Sequence, residues 1–304
     1  MTPHSEKTKS ADVAILVFLA VSIASFWKYL VALVAFSLTH EYCSHVVLIP
    51  FISLWLIYVS RNSIRKTLST WIYGVLFAVP AIPALLFAFS RKETLDPNDF
   101  LACTTFAVIC VWISGFSICY GLRAFKAAIF PLLFLFLMIP LPTLILQATT
   151  HFLQQGSTDI TYWLLQGVGQ PSVKDGYLIH MPKLTIRVAE ECSGIRSSLA
   201  LFITCLLAGY MTLKSNWKRT IFVLLTFPVA LIKNGIRIAT IVLLSLHVDM
   251  RVMTSSLHRD GGFLFFIIAL LIMFPFLKLL QKSEVAGSLR MSKNLRPAQV
   301  GSQN

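Results

Sequence analysis

The sequence predicts an all-α polytopic membrane protein of about eight transmembrane helices, with a small extracytoplasmic helix or hairpin insertion. The first observation behind this fold class is composition: hydrophobic residues make up 56% of the chain and charged residues only 13%. The second is that apolar runs recur from one end of the chain to the other, each near the roughly 20 residues that a membrane helix needs. This composition excludes an ordinary soluble domain.

The apolar runs define the expected spans and the domain boundaries. The spans are placed at about residues 12–37, 45–60, 70–90, 99–118, 124–147, 192–213, 219–246 and 262–281. Residues 1–282 are expected to form a single integral membrane domain, with 148–191 as a lid-like insertion. The polar residues 283–304 are expected to form a disordered cytoplasmic tail. The first run is too long for a signal-peptide core and is expected to be retained.

Positive charge sorts by side of the membrane. The net charge of +13 would indicate a nucleic-acid partner in a soluble protein, but in a membrane protein it is typical of cytoplasmic loops, so no nucleic acid is expected. The basic residues cluster in alternate connections and at the two ends: Lys7, Lys9, Arg61, Arg65, Lys66, Arg123, Lys126, Lys214, Lys218, Arg219, Lys282, Arg290, Lys293 and Arg296. Both termini are therefore predicted to be cytoplasmic.

The long connection 148–191 then lies on the outer side. Its first part, HFLQQGSTDITYWLLQGV, mixes apolar and polar residues as a helix at the membrane interface does. In YLIHMPKLTIRVAE, the apolar Leu184, Ile186 and Val188 occupy alternate positions after Pro182, which predicts a strand. We therefore expect a small lid or hairpin over the outer face.

Three chemically capable side chains come from three consecutive segments and are predicted at the same leaflet. Cys192 begins one segment, Arg237 lies in the outer half of the next, and His258 precedes the last. An intramembrane cation such as Arg237 is costly unless it faces a polar cavity or a partner. Lys233 and Asn234 share its helical face. The three side chains are therefore expected to converge in one pocket.

These residue types suit acyl transfer. A nearby cation and a helix N-terminus both favour the thiolate form of cysteine, which is the nucleophile. Imidazole can accept and return a proton near neutral pH, so His258 would act as general base and then general acid. The guanidinium of Arg237 would donate hydrogen bonds to an oxyanion. Together they predict a nucleophilic acyl-transfer site.

Each residue also has a plainer interpretation. Cys192 can be a small packing residue, and His258 a solvated loop residue. Arg237 can be a structural partner of Glu190 or Glu191, or a charge along a transport pathway.

Cysteine pairing and metal binding bear on the same site. A disulfide between Cys192 and Cys43, the other cysteine predicted on the outer side, would exclude a free nucleophile. No metal and no other cofactor are expected, because the histidines and carboxylates lack ligand spacing.

Several motifs resemble a known family. VAEECSGIR, then NGIR, then LH followed by GGFLFF, in this order on successive segments, resemble the signature of the exosortase and archaeosortase family of membrane cysteine transpeptidases. EYCSHVVLIPFISLWLIY is similar to the family's early Tyr-Ser-His-Gly segment, and FPLLFLFLMIPLP to its Pro-rich middle helix. The chain departs from the pattern in three places: Cys43 precedes Ser44, Val46 replaces a glycine, and Lys233 adds a cation.

The resemblance implies roles for particular residues. Cys192 would be the nucleophile, Arg237 the oxyanion stabiliser and His258 the proton-transfer residue. Supporting or substrate-binding positions would be Glu190, Ser193, Arg196, Asn234 and His45.

The resemblance also implies a location and partners. The enzyme would lie in the bacterial inner membrane with its site on the extracytoplasmic side. Its partners would be the lipid bilayer, an unidentified acceptor nucleophile, and exported proteins with a C-terminal sorting signal. That signal consists of a short motif such as Pro-Glu-Pro, a transmembrane helix and a basic end.

Two other functional classes stay open from the residues alone. A transporter or flippase-like carrier would hold an anionic substrate with Arg237 and Lys233, and inverted repeats with paired broken helices would favour it. No such repeat is visible in the sequence. An envelope assembly factor with a vestigial site is the third interpretation. A carrier has no particular need for Cys192, whereas the enzyme requires it.

Overall fold

A computed structural model describes residues 3–65, 72–249, 251 and 262–295. The chain divides into two compact units, Met1–Leu146 and Gln147–Asn304. The single membrane domain expected over residues 1–282 stays a prediction.

Helices dominate, and the all-α polytopic membrane fold is confirmed. Within the described ranges, six helical stretches are long and apolar enough to cross a membrane, and a bent pair of helices would add a seventh. The six are Ser10–Thr39, Glu41–Val59, Pro97–Tyr120, Glu190–Thr212, Asn216–His247 and Gly262–Ala286. The predicted number of eight is not confirmed.

The first unit is built around the helix Pro97–Tyr120, most of which is buried. Its helices are α1 (Pro3–Thr39), α2 (Leu48–Val59), α3 (Arg61–Arg65), α4 (Ala81–Ser90), α5 (Pro97–Tyr120), α6 (Leu122–Ala127) and α7 (Ile129–Phe134), with 3-10 turns at Glu41–Cys43, Ile72–Ala78 and Leu135–Met138. Asp96 caps α5 by accepting the amide of Asn98 at 2.8 Å. Trp112 Nε1 donates to Ser22 Oγ of α1 at 3.0 Å, so α5 is tied to α1 by a polar contact as well as by packing.

Prolines explain the two predicted spans that are not continuous. The segment 70–90 contains the 3-10 turn Ile72–Ala78 and the ten-residue α4, separated at Pro80. The segment 124–147 is divided before Pro140, where Ile139 is extended with φ −73° and ψ 123°. Proline lacks an amide donor and disfavours the helical conformation of the residue before it. Hydropathy therefore indicated spans that the backbone interrupts.

The second unit carries the remaining elements. They are α8 (Thr143–Gly167, beginning at the end of the first unit), β1 (Val173–Asp175), β2 (Leu178–Met181), β3 (Leu184–Arg187), α9 (Ile195–Thr212), α10 (Asn216–Leu224), α11 (Thr226–His247) and α12 (Gly262–Leu295). The strands form an antiparallel sheet in the order β1-β2-β3. The strand predicted after Pro182 is confirmed as β3, with Ile186 buried and Thr185 exposed. The predicted helix in residues 151–168 forms within α8, and its position at a membrane interface stays a prediction.

Two glycines let α11 pack closely on α8. A Cβ added to Gly235 would lie 2.4 Å from Cγ2 of Ile160, and one added to Gly156 would lie 2.8 Å from Cδ2 of Leu231. Thr161 Oγ1 also donates to the carbonyl of Gly235 at 3.3 Å. A larger residue at Gly235 would clash with the branched side chain of Ile160 and the backbone of Thr161, so this close contact helps to set where the side chains of α11 lie.

The last helix extends beyond its predicted end. Residues 283–295 are helical, although the sequence assigns them to a disordered tail. The carboxylate of Glu284 accepts the amides of Lys214 at 3.0 Å and Ser215 at 2.8 Å, at the start of α10. Lys218 Nζ donates to Ser283 Oγ at 2.7 Å. These contacts give the helix a tertiary partner that composition does not reveal. The rest of the predicted tail, residues 296–304, lies outside the described residues.

Candidate active site

The candidate nucleophile lies in a tight turn between the sheet and α9. Cys192 belongs to the 3-10 turn Glu190–Ser193, and its amide donates to the carbonyl of Ala189 at 3.0 Å. Gly194 follows with φ +74° and is the N-cap of α9. Only glycine adopts this conformation without strain. The thiol therefore belongs to the turn before α9, whereas the sequence placed Cys192 at the start of the helix itself.

The side chain of Asn234 holds this turn from α11. Asn234 Nδ2 lies 2.8 Å from the carbonyl oxygen of Cys192, 3.0 Å from that of Ser193 and 2.9 Å from Ser157 Oγ. An amide nitrogen carries two hydrogens, so one of them is shared between acceptors. Asn234 is only 1% exposed, and Gly194 lies so close that a Cβ there would be 2.6 Å from Asn234 Oδ1. The backbone of Cys192 is therefore fixed by a buried amide.

Lys233, the neighbour of Asn234, acts on the same turn. Its side chain is 1% exposed, and Nζ donates to Ser197 Oγ. Ser197 Oγ lies 3.1 Å from the carbonyl oxygen of Gly194, to which it donates. A buried ammonium requires such partners because losing water is costly. Lys233 is thus part of the packing between α11 and α9.

An open cleft brings Cys192 and Arg237 together. It is lined by Ile186, Arg187, Val188, Cys192, Arg237, Ile238, Ile241 and Val242. The half-buried guanidinium of Arg237 is close enough to the thiol of Cys192 to interact with it electrostatically. The walls are otherwise mostly aliphatic, which lowers the local polarity and strengthens charge interactions within the cleft. A thiol beside a cation in a cleft is an arrangement suited to nucleophilic chemistry.

The model of the transmembrane exosortase family matches residues 36–275. The chain belongs to the transmembrane exosortase family. The family identified from the motifs is confirmed, and membership indicates a membrane transpeptidase of protein sorting. No curated protein and no solved structure matches the chain.

The other site residues named from the sequence of this exosortase lie in varied surroundings. Ser193 is fully buried, and its carbonyl oxygen is held by Asn234. Glu190 and Arg196 are exposed on either side of the turn. His45 belongs to the first unit, where its ring interacts with the backbone of Leu137 and Tyr42. His258 lies outside the described residues, so its convergence with Cys192 and Arg237 stays a prediction.

A disulfide and a metal ion at the site were also considered from the sequence. Cys43 and Cys192 are both free thiols, so the disulfide considered from the sequence does not occur in the structure. Across the described ranges, no group of three or more histidine, cysteine or acidic side chains is arranged to hold a metal ion.

Sequence reasoning missed the supporting residues on α8. Gln154 Nε2 donates to the carbonyl of Val188 at 2.6 Å, and Ser157 accepts from Asn234. A signal for them existed, because five buried polar residues recur at helical spacing along one face of α8: Thr150, Gln154, Ser157, Thr158 and Thr161. A polar face of this kind is expected to pack on another polar element. In this exosortase it meets α11 and the end of the sheet.

Proposed function

We propose that this chain is a cysteine endopeptidase and transpeptidase of the bacterial inner membrane. It cleaves the C-terminal sorting signal of exported proteins at the extracytoplasmic face and transfers them to an acceptor nucleophile. The observation that supports this most directly is the cleft that Cys192 and Arg237 both line, with Asn234 bound to the backbone carbonyl of Cys192. Transport and assembly functions make no use of a thiol held in this way.

In the first half of the reaction, His258 takes the proton of Cys192, and the sulfur attacks the carbonyl carbon of the scissile peptide bond. The carbonyl oxygen becomes an oxyanion, to which Arg237 donates hydrogen bonds. The carbon–nitrogen bond then breaks as the protonated His258 gives its proton to the leaving amine. The products are a thioester on Cys192 and the released tail, which carries the transmembrane helix and the basic end.

In the second half, the acceptor gives a proton to His258 and attacks the thioester carbonyl. The second oxyanion collapses, the carbon–sulfur bond breaks, and the thiolate of Cys192 recovers its proton from His258. The same three residues therefore serve both halves of the reaction, and in each half His258 acts first as base and then as acid.

The carrier interpretation finds less support. A carrier of an anionic substrate would use Arg237 and Lys233 together, but of these two cations Arg237 lines the cleft and Lys233 does not. Lys233 is instead buried and bound to Ser197. The two cations therefore do not line this cleft together.

The proposed reaction is tested by intercepting its intermediate. The probe is an exported reporter protein that ends in a sorting motif, a transmembrane helix and a basic cluster taken from the same genome, co-expressed with the full chain. Added hydroxylamine, which attacks thioesters, is expected to convert the new C-terminus of the reporter into a hydroxamate, detected by mass spectrometry. Cells without hydroxylamine are the control. A reporter that keeps its tail, or loses it without a hydroxamate forming, would contradict the thioester mechanism.

Replacing Arg237 by lysine keeps the charge but removes the planar, multi-donor fork. We expect Arg237→Lys to lower the rate of reporter cleavage by about 100-fold, the usual scale for the loss of an oxyanion donor. The matched control is Arg123→Lys on the exposed side of α6, which is expected to cleave at the wild-type rate. Wild-type cleavage by Arg237→Lys would show that charge alone suffices at this position.

A further inference from the structure

The small sheet ends at β3, beside the cleft. The strand order is β1-β2-β3, and β3 pairs with β2 alone. An edge strand of this kind presents unpaired amide and carbonyl groups and is a template for another extended chain. In the part of the chain that the structure describes, this edge of β3 carries no further strand.

The register shows which groups of β3 face outward. Val188 donates its amide to the carbonyl of Tyr177 at 2.9 Å, and Ile186 lies opposite Ile179. In an antiparallel pair, hydrogen-bonded residues alternate with residues whose backbone groups point away from the partner. Thr185 and Arg187 therefore direct their amides and carbonyls away from β2. Both residues are exposed.

This outward edge runs into the catalytic cleft. Ile186, Arg187 and Val188 line the cleft together with Cys192 and Arg237. The donor and acceptor pairs of Thr185 and Arg187 are separated by about 6.6 Å, the two-residue repeat of a strand. A polypeptide offers groups at the same repeat, whereas a lipid or a polysaccharide does not. The edge is thus complementary to an extended peptide whose end reaches the thiol.

We propose that the substrate segment next to the scissile bond binds as an added strand along the free edge of β3. The inference rests on the proposed function. Backbone hydrogen bonds to Thr185 and Arg187 would hold the segment extended and deliver its scissile carbonyl to Cys192. This mode binds through the main chain, so side-chain specificity comes from the residues that line the cleft.

A proline in the edge strand tests this binding mode in the enzyme. Arg187→Pro removes the outward amide of β3 and leaves its bonds to β2 intact, because proline is tolerated at edge positions whose N–H faces away from the partner strand. Arg187→Ala is the matched control, since it removes the same side chain and keeps the amide. We expect kcat/KM for the reporter to be about tenfold lower in Arg187→Pro than in Arg187→Ala, the upper range for one hydrogen bond. Equal values would overturn the proposal.

A second test leaves the enzyme unchanged, so misfolding cannot affect it. Synthetic peptides that span the mapped cleavage site, each with one N-methylated backbone amide, are incubated with the solubilised full chain. Strand addition predicts that cleavage falls at every second position and stays near normal at the positions between. Inhibition with no two-residue alternation would overturn the added strand.

The two proposals can fail separately. If the wild-type chain cleaves the reporter and Cys192→Ala does not, the enzymatic proposal stands whatever the peptides show. In that case, equal Arg187 variants and an absence of alternation reject only strand binding. If the wild-type chain leaves the reporter intact, both proposals are rejected.

Discussion

Cys192→Ala is expected to abolish cleavage of the reporter while the protein still folds and inserts. The thiol is the protein group that forms a covalent bond to the substrate in the proposed mechanism, so no other side chain of the site replaces it. The side chain lies in the turn Glu190–Ser193 and faces an open cleft, so its removal leaves no closed cavity in the core. Cleavage is measured by the mass of the reporter, and folding by the amount of monodisperse protein after extraction.

Two further variants sharpen this expectation. Cys192→Ser keeps the shape but offers a hydroxyl, which is far less ionised than a thiol at neutral pH, and is expected to be inactive as well. Cys205→Ala changes a cysteine that is 2% exposed in the hydrophobic core of α9 and is expected to keep its cleavage activity at a modest cost in stability. Cleavage at the wild-type rate in Cys192→Ala would remove Cys192 from the mechanism.

Gly194→Ala is expected to be the most damaging substitution outside the reacting groups. An alanine with φ near +74° costs about 1 kcal/mol relative to glycine. Its Cβ would also lie 2.6 Å from Oδ1 and 2.8 Å from Cγ of Asn234. The amide would have to move and release the carbonyl of Cys192. We therefore expect cleavage to fall by more than about tenfold, because misplacing a nucleophile by 1 Å can cost about 100-fold.

A second glycine distinguishes the effect of backbone strain from the effect of the clash with Asn234. Gly169 has φ +76°, and a Cβ there would meet nothing within 4 Å. Gly169→Ala therefore carries the same backbone strain without the clash. We expect it to lower the thermal unfolding midpoint slightly and to leave cleavage unchanged. If the two variants lose cleavage equally, the contact between Gly194 and Asn234 has no role in positioning the nucleophile.

Motif order and hydropathy predicted the family and the meeting of Cys192 with Arg237. Both residues could be predicted at the same leaflet, because Cys192 follows a connection predicted to be outer and Arg237 lies late in the next span, which is predicted to run outward. The hydrogen bonds from Asn234 to the carbonyls of the turn that carries Cys192 could not be predicted in the same way. The amide of Asn234 meets the carbonyl of Cys192 across 42 residues, and that contact depends on how α11 is rotated and how closely it lies. Close approaches such as that at Gly235 set this placement, and hydropathy does not encode them.

The number of spans was less predictable for a different reason. Hydropathy averaged over about 20 residues measures how apolar a segment is, and not whether its helix is continuous. The segments 70–90 and 124–147 are apolar enough, but prolines interrupt both of them. The end of α12 shows the opposite difference between sequence and structure. The polar composition indicated disorder, but residues 283–295 are helical, and Glu284 accepts the amide of Ser215 before α10.

Asn234 and Arg237 lie on one helix, so the residue that positions the backbone of Cys192 is mechanically linked to the cation beside it. They are three residues apart on α11, so they lie on the same face and move as one rigid body. Asn234 donates a hydrogen bond to the backbone carbonyl of Cys192, and Arg237 lines the same cleft as Cys192. Any displacement of α11 would therefore move Arg237 and, through the hydrogen bond of Asn234, the turn that carries Cys192 in the same direction.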